Sequence, residues 1–321
     1  MEFSIAVINY GTGDLVNRFL DSLAEAKARY MKSTLVLKEV LVVDSGFPEV
    51  ADAERFVHPA EYPWPVRIIA NPGHSYSSGV NKAMAEASTE WVFVSNSDVE
   101  VIDYGQLELM VVRASASQKI AVMCPQLLYP NGQWQRSYGD IPGLLEALKF
   151  ALCWDVLTTM IHRKSHKISR YCSGKAPVKA RQVAYADGAF LLLRKSVFEA
   201  LGGFDESFRF YAEETDYALR VHHAGYQVCY LGVSPVTHVR GVTARRRSVD
   251  DRTTTQLLEA KMLFMHKHHR RAYVELYKWI TWAGACWRAA LARVLWRLTR
   301  YPEWHRRAEA HRKLARLART A

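Results

Sequence analysis

Apolar runs that alternate with helical segments constrain the fold of this 321-residue chain more than any other feature. The strand candidates are the runs at 4–9, 35–43, 66–70 and 91–95. Helical patterns near 14–30 and at 77–88 lie between them. Strands that alternate with helices predict an α/β fold, with a Rossmann-like, mostly parallel sheet and helices on both faces.

Each of these predicted strands ends in polar residues. The strand ends are Asn9-Tyr10, Asp44-Ser45, Asn71-Pro72-Gly73 and Asn96-Ser97-Asp98. In open parallel sheets, ligands bind beyond the carboxyl ends of the strands. Four polar strand ends on one rim therefore predict a ligand site there.

The middle of the chain supplies fewer signals. Residues 124–137 resemble a hairpin with its turn at Asn131-Gly132. Residues 216–225 predict a helix that Gly225 closes, and residues 226–241 predict a strand pair that delivers His238.

The net charge of +11 is unevenly distributed along the chain. Residues 256–321 contain 15 Lys and Arg against 4 Glu, and the remaining residues are neutral in sum. We therefore divide the chain into a domain at 1–250 and a helical, basic, Trp-rich region at 251–321. A cytoplasmic protein is expected, because five scattered cysteines fit a reduced compartment and neither a signal peptide nor an 18-residue apolar run is evident.

The basic C-terminal region is amphipathic when it is drawn as a helix. Leu291, Val294, Leu295 and Leu298 share one face, and Arg293, Arg297 and Arg300 lie opposite. This pattern, with five tryptophans nearby, favours peripheral docking on the anionic inner face of the cell membrane. A helical cap on the preceding domain and a homo-oligomer contact are the alternatives. Nucleic-acid binding is disfavoured, because no recognised motif accompanies the charge.

Several long segments carry a family resemblance. They are "VINYGTGDLVNRFLDSL", "NPGHSYSSGVNKAMAEASTEWVFVSNSDVEV" and "DGAFLLLRKSVFEALGGFDESFRFYAEETDYALRVHHAGY". Over residues 3–243 the chain resembles the family 2 glycosyltransferases of the GT-A fold, in the bacterial branch that includes rhamnosyltransferases. The resemblance implies an inverting hexosyltransferase for surface polysaccharide assembly. Its donor would be a dTDP- or UDP-sugar, with L-rhamnose the first candidate, and its acceptor a hydroxyl of a glycan or lipid-linked sugar.

The resemblance also implies a divalent metal at Asp98. The family usually has an acid-x-acid pair here, whereas this chain has Asn96 in the first place, where it suits a sugar hydroxyl or a water. His238 matches the place of a second metal ligand, and imidazole favours Mn²⁺ over Mg²⁺. The alternatives are a turn or cap role for Asp98 and a structural role for His238.

The same resemblance implies that the nucleotide and the donor sugar bind to the strand-end residues and to the helix predicted at 77–88. These residues are Asn9, Tyr10, Asp44, Asn71, Gly73, Asn81, Asn96 and Ser97. The Asp44 carboxylate would accept a hydrogen bond from a ring N–H, which suits uracil or thymine. A helix cap is the alternative for Asp44.

Inversion by direct displacement requires one base that deprotonates the acceptor hydroxyl. In "AEETDYALR", Glu214 stands where the family has its catalytic Asp. Donor or acceptor contacts are expected at Asp187, Glu213, Asp216 and Arg220. Neighbouring carboxylates would raise the pKa of Glu214 by like-charge repulsion. An acidic loop with no catalytic part is the alternative.

Arg245, Arg246 and Arg247 form a basic segment that either clamps the donor diphosphate as a lid or lies solvated.

Two other functions are compatible with parts of the sequence. A nucleotidyltransferase would need a basic, Gly-rich loop after the first strand, and "NYGTGDLVNR" lacks its early bases. A catalytically inactive nucleotide-sugar-binding protein is suggested by Asn96 and by Glu214 in place of Asp.

Overall fold

A computed structural model describes residues 1–30, 32–45, 62–71, 75–154, 180–208, 210–239 and 250–320. The chain divides into two compact units: Met1–Ile141 with Tyr171–Ser248, and Pro142–Arg170 with Val249–Ala321. The strands are β1 Glu2–Asn9, β2 Val36–Asp44, β3 Val66–Ala70, β4 Trp91–Asn96, β5 Val99–Val101, β6 Ile120–Leu128, β7 Trp134–Gln135, β8 Tyr138–Gly139, β9 Arg181–Gln182, β10 Tyr185–Ala186, β11 Phe190–Arg194 and β12 Gln227–His238. The helices are α1 Gly13–Arg29, α2 Tyr76–Glu86, α3 Tyr104–Ser115, α4 Leu144–Ala151, α5 Lys195–Ala200, α6 Glu213–His223, α7 Asp250–His268, α8 Arg271–Thr299 and α9 Pro302–Thr320.

The first unit is built on one large sheet. Its strand order is β3-β2-β1-β4-β11-β6-β12-β5, with β7 beside β6 and β9 beside β12. Neighbours from β3 to β4 run parallel, as do β6 and β12, whereas β11 is antiparallel to both of its neighbours. The predicted α/β fold with a mostly parallel sheet is confirmed. Because β2 and β4 flank β1 on opposite sides, the chain reverses its winding at β1, which is where open sheets bind ligands.

Alternating side chains of the buried strands feed two separate cores. In β1, Phe3, Ile5 and Val7 face one layer, whereas Ala6 and Ile8 face the other. Helices α1 and α3 cover the first layer, and α2, α5 and α6 cover the second. A central strand buried on both faces therefore reads as a continuous apolar run, as the sequence of β1 does.

The hairpin predicted over 124–137 is present, because β6 and β7 pair antiparallel on either side of Gly132, whose φ is 75°. The strand pair predicted over 226–241 is wrong. Residues 227–238 form one strand, β12, whose pairing with β6 is irregular between Leu231 and Pro235. The register of β12 against β6 shifts there without a reversal of the chain, so β12 stays one strand from Gln227 to His238.

The described part of the second unit is helical. Helix α4 packs against α8, where a Cβ on Gly284 would lie 2.8 Å from the Ala151 Cα. The Leu144 amide donates to the Tyr273 hydroxyl at 3.0 Å. Helix α4 therefore groups with the C-terminal helices, although the sequence placed it in the preceding domain. Of the helices described, none is both long and apolar enough to cross a membrane.

Candidate active site

Hydrogen bonds join three of the predicted strand ends at the rim around β1. The Asn9 amide donates to the Asp44 Oδ2 at 2.9 Å. The Asn9 Oδ1 accepts from the hydroxyl and the backbone amide of Thr12 at 2.8 and 3.0 Å. The Thr12 hydroxyl in turn lies 2.8 Å from the hydroxyl of Ser97. Thr12, which the sequence did not single out, therefore links the ends of β1 and β4.

Asn71 orders the next strand end along the sheet. Its backbone amide donates to the Asp44 carbonyl at 2.8 Å, and its side-chain amide donates to the hydroxyls of Ser45 and Ser78 at 2.8 and 2.9 Å. Ser78 belongs to the capping box with which Ser75 starts α2. Gly73, predicted to lie along the donor path, falls outside the described residues.

The structure brings Asp98 and His238 together. The His238 Nε2 lies 3.3 Å from the Asp98 Oδ1, and both side chains are buried. Two local features produce this meeting. His238 pairs with Val99 across β12 and β5, and the Val239 amide donates to the Asp98 carbonyl at 3.0 Å.

Gln135, a residue that the sequence did not suggest, fixes the orientation of the His238 ring. The His238 Nδ1 lies 2.6 Å from the Gln135 Oε1, and Gln135 is also buried. An amide oxygen only accepts, so Nδ1 is the donor in this bond. In the neutral ring, the lone pair of Nε2 then points at the Asp98 carboxylate, which is another acceptor. This arrangement makes Nε2 available as a ligand beside a carboxylate oxygen, a donor set that fits a divalent cation, whereas a protonated ring would instead form an ion pair with Asp98.

Within the described ranges, no cluster of three or more His, Cys, Asp or Glu side chains suited to a metal occurs. Two protein ligands suffice for Mg²⁺-like sites, where water and substrate phosphates complete the coordination. Asn96, at the same strand end, is half-buried, and its backbone amide donates to the Ala189 carbonyl at 2.9 Å.

The acidic segment begins with strained backbone. Tyr211 and Ala212 have φ values of 72° and 68°, which L-residues other than glycine rarely adopt. Such left-handed residues concentrate at functional sites. Here they turn the chain so that Glu213 and Glu214 occupy the first turn of α6.

Glu213 and Glu214 form a crowded acidic pair. Burial raises the pKa of Glu213 to about 7, and its Oε2 is buried with no hydrogen-bond partner among the described residues. Burial also raises the pKa of Glu214 well above its usual value, and the negative charges of Glu213 and Asp187 raise it further. Glu214 is only half-buried, so a substrate hydroxyl can reach a carboxylate that holds its proton unusually tightly.

Asp216 and Arg220 form an ion pair with each other within α6. The Arg220 Nε donates to the Asp216 Oδ2 at 2.9 Å, and its two terminal nitrogens donate to the Leu201 and Gly203 carbonyls at 2.6 and 2.7 Å. Asp216 is fully buried. This ion pair therefore braces α6 against the turn that follows α5.

Asn81 holds the same turn from the other side. Its Nδ2 donates to the Phe204 carbonyl at 2.9 Å, and its Oδ1 accepts from the Phe204 amide at 2.8 Å. Gly203, with a φ of 68°, leaves no room for a Cβ, which would lie 2.7 Å from the Asn81 Oδ1.

Three interactions tie the acidic segment to the rim of the sheet. The Tyr76 hydroxyl, at the start of α2, donates to the Gly188 carbonyl at 2.5 Å. Burial raises the pKa of the Tyr76 hydroxyl, and the charges of Glu213 and Glu214 raise it further. The rings of Tyr10 and Phe210 meet edge to face at 5.9 Å. Arg245, Arg246 and Arg247 lie outside the described residues.

Comparison with known proteins supports the family resemblance that the sequence motifs carry. The profile of Glycosyl transferase family 2 matches residues 4–202. An N-acetylglucosaminyl-diphospho-decaprenol L-rhamnosyltransferase of Mycobacterium tuberculosis is 27% identical over 251 residues, which cover 73% of this chain and 75% of that protein. The O-antigen biosynthesis protein RfbC of Myxococcus xanthus is 27% identical over 247 residues, covering 74% of this chain but 17% of that protein.

Two solved structures share the fold. The mannosyltransferase PcManGT of Pyrobaculum calidifontis, in complex with GDP-Man and Mn²⁺, has a TM-score of 0.57 at 16% identity and covers 99% of this chain and 86% of that one. GalNAc-T7 with UDP, GalNAc and Mn²⁺ has a TM-score of 0.52 at 12% identity, and the match covers 74% of this chain and 44% of that one. This chain belongs to the family 2 glycosyltransferases, has the GT-A fold and is similar to L-rhamnosyltransferases.

Proposed function

We propose that this glycosyltransferase moves a sugar, with L-rhamnose the first candidate, from a dTDP- or UDP-sugar to a hydroxyl of a glycan or lipid-linked acceptor. The transfer inverts the anomeric centre by direct displacement, with Glu214 as the general base and Mn²⁺, or else Mg²⁺, at Asp98 and His238. The product would enter bacterial surface polysaccharide assembly. The mycobacterial relative, whose name describes an L-rhamnosyltransferase acting on a lipid-linked sugar, supports this choice of donor and acceptor.

The observation that carries the proposal is the contact between Asp98 and His238, and the acidic start of α6 supports it. Asp98 meets His238 just after the end of β4, and Glu214 lies in the first turn of α6, where the charge of Asp187 acts on it. The Asn96–Ala189 hydrogen bond links these two groups, because Ala189 lies two residues after Asp187. A displacement needs both a group that stabilises the leaving diphosphate and a base on the acceptor side.

Asp98 and His238 would hold the cation, and Gln135 would keep the His238 ring turned toward it. When bound, a divalent cation neutralises the charge that develops on the leaving diphosphate. The relatives of known structure that contain Mn²⁺ support a divalent metal for the fold.

Glu214 takes the proton of the attacking hydroxyl as the new glycosidic bond forms and the sugar–phosphate bond breaks. A raised pKa suits this task, because a general base is most effective when its pKa lies near the working pH, where it is both ionised and basic enough to accept the proton. Glu213, whose buried Oε2 has no hydrogen-bond partner among the described residues, would accept from another acceptor hydroxyl. Asp187 would contact the donor sugar or the acceptor.

Nucleotide recognition is proposed for the hydrogen-bonded rim. Asp44, oriented by Asn9, would accept from the ring N–H of a pyrimidine, and Tyr10, Asn71, Asn81, Asn96, Ser97 and Gly73 would line or shape the donor path. Arg245, Arg246 and Arg247 are proposed to clamp the diphosphate.

We also propose that the enzyme acts at the inner face of the cell membrane. The basic C-terminal region would hold it there, close to a lipid-linked acceptor. The excess of positive charge in residues 256–321 supports attraction to anionic lipid. A homo-oligomer contact is the other role proposed for this region.

A donor screen with three variants tests the proposal. Release of nucleoside diphosphate from a panel of dTDP- and UDP-sugars is measured with Mn²⁺ and an acceptor, and NMR gives the product anomer. We expect turnover with dTDP-L-rhamnose, an inverted product, and severe loss in Glu214→Gln and Asp98→Ala. Glu25→Gln, at an exposed acid of α1, is the control that should retain turnover. Equal turnover in all four proteins would refute the mechanism.

A further inference from the structure

Helix α8 exposes an apolar face that carries a leucine and two tryptophans, whereas five of its eight buried residues are Thr, Gly or Ala. Its buried residues are Val274, Tyr277, Thr281, Gly284, Ala285, Arg288, Ala289 and Ala292. Its exposed residues between 272 and 292 are Ala272, Leu276, Trp279, Ala283, Cys286, Trp287 and Ala290. None of these exposed residues is charged. A helix facing water would instead present polar side chains on this face.

Close contact with α4 explains why small residues are buried. Ala151 leaves no space for a side chain at Gly284, and the Arg288 guanidinium stacks over the Phe150 ring at 4.4 Å. The Arg288 Nε also donates to the Phe150 carbonyl at 2.8 Å. Helix α8 therefore packs against α4, and it also packs against α9, while Leu276, Trp279 and Trp287 are exposed.

Helix α4 continues the same exposed apolar surface. Leu145, Leu148 and Leu152 are exposed at i, i+3 and i+7, so they lie on one helical face together with Lys149. The Trp287 indole donates to the Ala151 carbonyl at 2.9 Å, which joins the exposed stripe of α8 to the last turn of α4. Exposed apolar area of this extent marks an interaction site.

Basic residues border this surface at both ends of α8. Arg270 and Arg271 precede the stripe, and Arg293, Arg297 and Arg300 follow it, all of them exposed. Val294 and Leu298, the latter 76% exposed, continue the stripe between Arg293, Arg297 and Arg300. Tryptophan and leucine flanked by arginine is the composition of helices that lie in a membrane interface.

We propose that α4 and α8 together form a docking surface for an anionic lipid bilayer, with α8 parallel to the membrane plane. This docking surface rests on the proposed function only for its location at the membrane. The part played by α4, and the residues of α8 that contact lipid, go beyond that function. Charge favours lipid over a second copy of this chain, because residues 256–321 carry an excess of 11 positive charges that would repel each other across a dimer. A polyanion such as nucleic acid would leave the leucines and tryptophans exposed.

Vesicle flotation of the full chain tests this surface. Vesicles of phosphatidylcholine alone and with phosphatidylglycerol are mixed with the wild type, Leu276→Glu, Leu148→Glu or Val112→Glu. The three positions are matched, with exposures of 49, 43 and 46%, and Val112 lies on α3 of the first unit. We expect binding to the anionic vesicles, a drop of about 10-fold in partitioning for each of the first two variants, and no change for Val112→Glu.

Three results would overturn the docking surface. They are no flotation of the wild type, equal flotation of wild type and Leu276→Glu, or an equal drop in all variants. A wild-type dimer that Leu276→Glu dissociates in sedimentation runs without lipid would assign the surface to a second copy instead. Nucleoside diphosphate release, measured in solution on the same samples, separates these failures from a failure of the proposed transferase reaction.

Discussion

Asp98 and the Glu213–Glu214 pair are both acidic and both near the rim of the sheet, yet their surroundings differ in kind. Asp98 faces the imidazole of His238, which Gln135 orients from behind. Burial raises the pKa values of Glu213 and Glu214, and the charges of Glu213 and Asp187 raise that of Glu214 further. A carboxylate beside an oriented imidazole nitrogen is suited to a cation, whereas buried, neighbouring carboxylates are suited to a proton. A carboxylate can therefore bind a cation or carry a proton, and the groups around it determine which of the two it is suited to.

The largest effect is expected at Glu214. Glu214→Gln keeps the size of the side chain but removes the base, so kcat should fall about 10²- to 10⁴-fold. Turnover of donor and acceptor at saturating Mn²⁺ measures this loss. Glu25→Gln controls for the general effect of removing an acid. A fall of less than about 10-fold would remove Glu214 from the proton transfer.

Asp98→Asn should weaken metal binding and leave the proton transfer to Glu214 intact. Asn offers a neutral oxygen, so Mn²⁺ affinity should fall by more than the roughly 10- to 100-fold typical of losing an outer partner of a ligand. Titration of the protein with Mn²⁺, followed by electron paramagnetic resonance, measures the affinity without turnover. Chelation should abolish transfer by the wild type, and added Mn²⁺ should restore it. Unchanged affinity would contradict the metal assignment.

Gln135→Leu should weaken Mn²⁺ binding by about 10- to 100-fold, because the His238 ring loses the acceptor that fixes its tautomer. Gln135→Glu is the matched variant, since it keeps an acceptor oxygen facing Nδ1 and should retain most of the affinity. The same Mn²⁺ titration compares the two. If both variants bind equally, Gln135 does not position His238.

We expect the Glu213–Glu214 pair to lower the free energy of unfolding at high pH. The folded-state pKa of Glu214 is raised, so the unfolded chain releases this proton first as the pH rises. The free energy of unfolding of the wild type should therefore fall from about pH 4.3, the usual Glu value, up to the folded pKa. Glu214→Gln lacks this slope and should gain on the wild type as the pH rises toward 8. Urea unfolding at pH 4.5 and 8 measures the difference, and parallel pH dependence in both proteins would contradict it.

The smallest effect is expected at Ala212, whose φ of 68° costs an L-residue energy that glycine does not pay. Ala212→Gly should raise the free energy of unfolding by up to about 1 kcal/mol, after the greater flexibility of unfolded glycine is subtracted. Ala116→Gly, at a φ of −68°, is the control and should destabilise by about 0.5–1 kcal/mol. Urea midpoints of the two variants compare them. Destabilisation by Ala212→Gly would show that the turn is not strained.

Much of this site could be predicted because it depends on strand ends. Polar residues after buried strands locate the rim whenever the sheet is parallel, so Asn9, Asp44 and Asn71 followed from periodicity alone. Asp98, His238 and Glu214 followed from a family resemblance, and the structure places the first two 3.3 Å apart. Their roles stay predictions until they are measured.

The partners that support these residues could not be predicted. Gln135 meets His238 only because β7 pairs with β6 and β6 pairs with β12, a register that no local pattern encodes. Thr12 belongs to the turn before α1 and carries no signal by itself. The unbroken course of β12 was missed because Gly232 and Pro235 are equally compatible with a turn.

The C-terminal helices show the same limit in another form. Periodicity located an amphipathic pattern over 291–300, but large apolar side chains are ordinarily expected to be buried. In the structure Trp279 and Leu276 are exposed, whereas Gly284 admits α4 against a neighbouring part of the helix surface. Which face of a helix is covered depends on what packs against it, and α4 lies more than 100 residues earlier in the chain.

The pH dependence of kcat/KM tests the central claim most directly, because it distinguishes a proton-carrying acid from a metal-binding one. We predict that wild-type activity at saturating Mn²⁺ rises with pH along a limb well above the usual Glu pKa. Asp98→Asn should keep this limb at lower activity, whereas Glu214→Gln should lose it. The same limb in Glu214→Gln, or a flat wild-type profile, would contradict the assignment of Glu214 as the base.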